Sequence, residues 1–126
     1  MKAANKVVLL AVAVAALVTP VFAHHSGAGF GKDTKEIQGT VKEFQFMNPH
    51  SWIQVMVPDA NGKMTEWSIE WGSPNQLGRE GYRPSTFAPG TKVSMKVHPM
   101  TSGAPVAAFV AAKTADGKTI GKWDGE

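Results

Sequence analysis

The residues of this chain best suited to carry chemistry are its histidines and methionines. The sequence holds four histidines and six methionines and has no cysteine. Imidazole is a ligand for copper and for zinc, whereas a thioether suits Cu(I). Two of the histidines stand close to a methionine, in Met47-x-x-His50 and in His98-x-Met100. Because no thiolate is present, these two residue types are the candidate metal ligands, and copper is the metal that they favour.

The other two histidines, His24 and His25, follow a segment with the three parts of a secretory signal. Two lysines precede an unbroken apolar run over residues 7–18, and Ala23 ends a short stretch typical of signal-peptidase sites. The run is shorter than the roughly 20 residues that a membrane-spanning helix needs. We therefore predict a signal peptide over 1–23, a single mature domain over 24–126 with no membrane span, and a periplasmic or secreted location.

Cleavage after Ala23 would give His24 a free α-amine. An N-terminal histidine can hold a metal through both its amine and its ring, and a further imidazole completes a brace that suits Cu(II). The predicted metal ligands are His24, His50 and His98, joined by His25, Met47 and Met100. Zinc, held by two or three histidines and a carboxylate such as Glu70, is the second metal considered. A solvated terminus, a turn histidine and core methionines are the alternative interpretation.

Other kinds of chemistry find little support in the sequence. The formal net charge is +3, but loss of Lys2 and Lys6 with the signal would leave the mature chain near neutrality. Lysines and arginines do not cluster with aromatic residues, so we predict no nucleic-acid partner. The serines lack a G-x-S-x-G setting, and no glycine-rich phosphate loop is present. An enzyme is therefore the least supported of the hypotheses, since it would need a metal cofactor.

Glu70 is the second candidate residue, since it stands between Trp67 and Trp71 in a predicted strand. A carboxyl group against aromatic surface can be a general acid. An ion pair with Arg79 or Arg83, tying a helix to the sheet, is the interpretation that we favour. The tryptophans support an alternative function, a non-metal module in which the region of Trp52 and Trp67–Trp71 binds a periplasmic protein or a small molecule.

The elements that must position these residues follow from alternating apolar and polar residues between turn signals. A capping Ser73 followed by Pro74 predicts a short helix after the third strand, and a phase shift near Lys42 predicts a β-bulge. The predicted strands cover 37–46, 51–57, 64–71, 92–98, 104–114 and 118–123. We predict an all-β fold, a small antiparallel OB-like barrel of five or six strands with one short helix. An open β-sandwich is the alternative.

Several motifs together resemble a family of exported bacterial proteins of unknown function. They are Gly39-Thr40-Val41, Asn48-Pro49-His50 and Glu70-x-x-Ser73-Pro74-Asn75-x-Leu77-x-Arg79-x-Gly81, after a start at His-His-Ser. The resemblance implies an exported β-barrel domain and brings no activity with it. The functional prediction is therefore an exported barrel that binds copper as a carrier or buffer, with the accessory binding module as its alternative.

Overall fold

The computed structural model describes residues 29–124. Six strands, one helix and one 3-10 turn follow one another in this region. In chain order they are β1 (Lys35–Gln45), β2 (Trp52–Pro58), β3 (Met64–Glu70), α1 (Pro74–Arg79), the 3-10 turn (Pro84–Phe87), β4 (Lys92–Pro99), β5 (Val106–Thr114) and β6 (Thr119–Gly121). The strand bounds lie within a few residues of those expected from the alternation, because inward positions in each run are apolar.

The strands form a closed barrel. Their order is β3-β2-β1-β4-β5-β6, and an additional pairing of β3 with β5 joins the two sides. That pairing is parallel, whereas the other neighbours are antiparallel, and β6 extends the sheet beyond β5. The predicted OB-like barrel with one short helix after the third strand is confirmed. The open sandwich is wrong, because β3 and β5 hydrogen-bond to each other and close the barrel.

Strand β1 is the bent element that lets the barrel close. It pairs with β2 on one side and with β4 on the other. The register with β2 shifts between Val41 and Glu43, which is the bulge predicted near Lys42. At Gly39 a Cβ would collide with the carbonyl oxygen of Met56, so a residue without a side chain allows β1 and β2 to approach closely here.

The barrel interior is apolar, and aromatic rings close one of its ends. Ile53, Val55 and Ile69 are fully buried between the strands. The 3-10 turn contributes the fully buried Phe87, whose ring lies 5.7 Å from that of Trp71. Trp67 and Trp71 are partly buried and packed against this core, so most of each ring serves packing rather than a free ligand face.

The helix α1 begins where the sequence predicts it. The Ser73 hydroxyl accepts a hydrogen bond from the Gln76 backbone N–H at 3.2 Å, and Pro74 occupies the first turn. Gly81, with φ +91°, turns the chain away soon after its last residue. Leu77 is the buried residue of α1. Within residues 29–124, no helix combines the length and the apolar character that crossing a membrane requires.

Candidate functional site

A short backbone ladder holds His50 against the end of β3. The Ser51 N–H donates to the Gly72 carbonyl oxygen, and the Trp71 N–H donates to the Ser51 carbonyl oxygen, both at 2.9 Å. These bonds extend the antiparallel pairing of β2 and β3 past the last strand residues. As a result His50, which ends the β1–β2 loop, lies beside the side chain of Glu70.

The two side chains form a hydrogen-bonded pair. His50 Nδ1 lies 2.7 Å from Glu70 Oε1. The carboxylate is the more buried partner, with 13% of its side chain exposed against 33% for the imidazole. An ionised carboxylate only accepts hydrogen bonds, so the proton is on Nδ1, and in the neutral ring Nε2 carries the lone pair. Histidines that bind metals usually donate their other ring N–H to a carboxylate or a carbonyl in this way.

The pair borders a cleft of about 290 Å³ at one rim of the barrel. Helix α1 lies beside the cleft, and a Cβ at position 72 would lie 2.8 Å from Oε1 of the flexible Gln76 side chain. The cleft is where the β1–β2 loop, the end of β3 and α1 meet. Its lining consists of Phe30, His50, Glu70, Trp71, Gly72, Gln76 and Ala108.

The expected ion pair between Glu70 and an arginine is wrong. Arg79 Nε donates to the Asn75 carbonyl oxygen at 3.3 Å, so this side chain turns back on its own helix. Glu70 is on the outer face of β3, where the ladder to Ser51 brings His50 within reach instead. The hairpin register explains the pairing, because it places Trp52 opposite Glu70 and His50 lies only two residues before Trp52.

His98 lies in a different setting on β4. Its Nδ1 is 3.1 Å from the Asp33 carbonyl oxygen. A carbonyl oxygen only accepts, so this ring also donates from Nδ1 and keeps Nε2 for another partner. His98 and Glu70 are both register partners of Ala108 on β5, which separates their backbones by about 10 Å, two strand spacings. His98 is not among the residues that line the cleft.

The two candidate methionines also stay outside the cleft lining. Met47 is 48% exposed on the β1–β2 loop. Met100 pairs with Phe30 through an isolated antiparallel bridge. His24 and His25 lie outside the described residues. Within residues 29–124, no group of three or more histidine, aspartate or glutamate side chains is arranged to hold a metal ion.

The first described residues run directly past the cleft. The Gly31 N–H donates to the Pro99 carbonyl oxygen at 2.8 Å, and the Thr101 N–H donates to the Gly29 carbonyl oxygen at 2.9 Å. Between these bonds, Phe30 contributes to the cleft wall. The sequence analysis did not name three of the lining residues, Phe30, Gln76 and Ala108. Phe30 in particular is an apolar residue in a glycine-rich segment, which carries no site signal.

The fold and the His50–Glu70 pair together define the class of protein. It is a small closed β-barrel in which a carboxylate orients a histidine at one end. The chain belongs to a family of unknown function (DUF6152), whose model matches residues 10–108. This agrees with the resemblance to a family without an assigned activity. Comparison with curated proteins gives no match, and comparison with solved structures gives none either.

Proposed function

We propose that this protein is an exported copper-binding module, a carrier or buffer, in which His50 is the central ligand. The observation that carries the proposal is the contact between His50 Nδ1 and Glu70 Oε1 at 2.7 Å. The carboxylate holds the ring, sets its tautomer and makes Nε2 a better donor to a metal. Fixing the ligand in advance also lowers the entropy cost of forming the site.

Additional ligands would come from the N-terminal side of the cleft. Residues 29–31 are bound along residues 99–101, and Phe30 borders the same cleft as His50. From Gly29 back to His24 there are five residue steps, which span up to about 17 Å of extended chain. After cleavage behind Ala23, the α-amine and ring of His24 would therefore be within reach of His50.

The donor set favours copper over zinc. An amine and two imidazoles provide three nitrogen donors, a combination that suits the tetragonal geometry of Cu(II). A zinc site of histidines and Glu70 would need a carboxylate that is already bonded to His50. His25 and the thioethers of Met47 and Met100 remain secondary ligands in this proposal, the thioethers for Cu(I). His98, whose backbone is about two strand spacings from that of Glu70, is left out of it.

Titration of the processed protein, beginning at His24, with Cu(II) tests the proposal. Calorimetry should give one tight site, and electron paramagnetic resonance should show hyperfine coupling to nitrogen. His50→Ala should abolish that site, whereas His98→Ala is the matched control that should keep it. Acetylation of the α-amine should weaken binding if His24 forms the brace. Copper binding unchanged in His50→Ala would overturn the proposal.

A further inference from the structure

A second concave surface, independent of the histidine cleft, crosses the outer face of β1. It encloses about 440 Å³, within the range of about 300–1,000 Å³ that is usual for small-molecule sites. The strand registers explain its shape. Thr40 pairs with Met56 on one side and with Lys92 on the other, and Gln38 pairs with Ser94. These outward-facing residues form rows that run across the bent sheet.

The two walls of this groove differ in chemistry. One wall is apolar and comes from the β2–β3 hairpin, with Met56, Pro58 and the 49%-exposed Met64. The opposite wall carries Lys92 and Lys113, both exposed. Between them the floor is formed by short uncharged side chains and Gly39. No aspartate or glutamate is among the described residues that line the groove.

The two lysines of the groove differ in their present contacts. Neither Lys92 nor Lys113 forms an ion pair with a residue of the described chain. Lys113 Nζ lies 4.6 Å from the ring centroid of Trp123, and Lys96 Nζ lies 4.7 Å from the same centroid. Trp123 does not line the groove, so the Lys113 ammonium would turn from the indole to meet an anion there.

Asp116, which directly follows the groove residue Ala115, is already engaged. It accepts a hydrogen bond from the Thr114 hydroxyl, which lowers the pKa of Asp116 below its usual value and keeps the carboxylate charged. Its other oxygen lies 3.7 Å from Lys118 Nζ. Asp116 is thus bonded to Thr114 and Lys118, and it does not line the groove.

From this arrangement we infer that the groove binds a free organic anion with an apolar tail, such as a medium-chain carboxylate. The carboxylate would contact Lys92 and Lys113 through charge-assisted hydrogen bonds. The tail would lie along Met56 and Met64, whose flexible thioether side chains adapt to varied apolar shapes. The inference does not depend on copper binding, since none of these residues borders the histidine cleft.

Calorimetry of the metal-free protein with decanoate tests the inference, and decanol and acetate separate the two halves of the ligand. Decanoate should bind at one saturable site. Decanol, which lacks the charge, and acetate, which lacks the tail, should each bind about tenfold more weakly or worse, the effect of losing about 1.4 kcal/mol. The double variant Lys92→Gln/Lys113→Gln should weaken decanoate binding by a similar factor, and Met64→Ser should do so by a smaller one.

Lys122→Gln is the matched control, since Lys122 is an exposed lysine outside the groove lining. It should bind decanoate like the unmodified protein, and all these surface changes should leave the thermal midpoint in place. Equal affinity for decanoate and decanol would overturn the inference. So would undiminished decanoate binding by the double lysine variant. Binding to anionic phospholipid vesicles without binding to free decanoate would point to a membrane surface and would overturn it too.

Discussion

His50 and His98 look alike in the sequence and differ in the structure. Each stands near a strand end, and each directs Nδ1 at a protein oxygen. The oxygen beside His50 is a carboxylate in a cleft, whereas the oxygen beside His98 is a backbone carbonyl at Asp33. A carboxylate partner raises the basicity of the opposite ring nitrogen more than a neutral carbonyl does. The comparison teaches that the partner of a histidine, rather than its neighbours in sequence, decides its value as a ligand.

The two settings also differ in what surrounds the imidazole. His50 ends a loop and borders the cleft together with Phe30, so further ligands have space and a route to it. His98 lies within β4, between β1 and β5 in the sheet. Its ring anchors the segment before β1 through the Asp33 carbonyl oxygen. We therefore assign His50 to the proposed copper site and His98 mainly to structure.

The largest expected difference between the two is in copper affinity. His50→Ala should lower Cu(II) affinity by about 100-fold or more, because loss of an outer-shell partner alone costs about 10–100-fold. His98→Ala should lower it by less than about threefold, since changes at separated sites act independently. Competition titration against a chelator measures both. Equal losses of affinity would mean that both rings bind the same metal ion. That result would contradict the assignment of His98 to structure.

Removal of the carboxylate should have the next largest effect. Glu70→Gln can still accept the hydrogen bond from His50 but lacks the negative charge, so Cu(II) affinity should fall by about tenfold or more. Asp33→Ala is the matched control at the other histidine, because it keeps the backbone carbonyl that His98 contacts. Its copper affinity should stay unchanged. An unaltered affinity in Glu70→Gln would show that the carboxylate does not tune the site.

A smaller effect should follow from changing Phe30. Phe30→Ala would remove the ring that borders the cleft and would loosen the approach of the N-terminal segment, so the effective concentration of His24 near His50 should fall. Cu(II) affinity should drop by about three- to tenfold, whereas Phe30→Leu, which keeps an apolar side chain, should retain most of it. A wild-type affinity in Phe30→Ala would argue that His24 takes no part in binding.

The smallest effect is on the free energy of unfolding and comes from Ser51, the residue after His50. Ser51 is fully buried, and its hydroxyl makes no hydrogen bond to any described residue. Such an unpaired group costs about 1–3 kcal/mol, so Ser51→Ala should raise the free energy of unfolding by about 1 kcal/mol. Urea denaturation measures this change, and copper affinity should stay the same. A destabilised Ser51→Ala would show that the hydroxyl has a partner after all.

Much of the local structure was predictable from residue patterns. Alternation located the strands, Ser73 and Pro74 located the start of α1, and the phase shift near Lys42 located the bulge. Each of these depends on neighbouring residues, because strand periodicity and capping are short-range effects. The 3-10 turn Pro84–Phe87 was not predicted, although Phe87 is fully buried, because its role depends on rings contributed by distant strands.

The site was predictable only in part. His50 and Glu70 were both named from their residue types, but they were assigned to different roles, and Glu70 was assigned the wrong partner. Their contact depends on the hairpin register continuing through Ser51 beyond β2, which residue types alone do not reveal. The metal itself and the role of His24 are proposals that the titration of the processed protein tests.

The sequence by itself determined which residues can serve as ligands, which segments form strands and where the short helix starts, because these follow from side-chain chemistry and short-range periodicity. Only the tertiary structure decided that β3 closes the barrel against β5, that Glu70 binds His50, and that His98 lies about two strand spacings away from Glu70. These outcomes depend on which strands become neighbours. That choice is set by the packing of the whole core and cannot be read from any one segment.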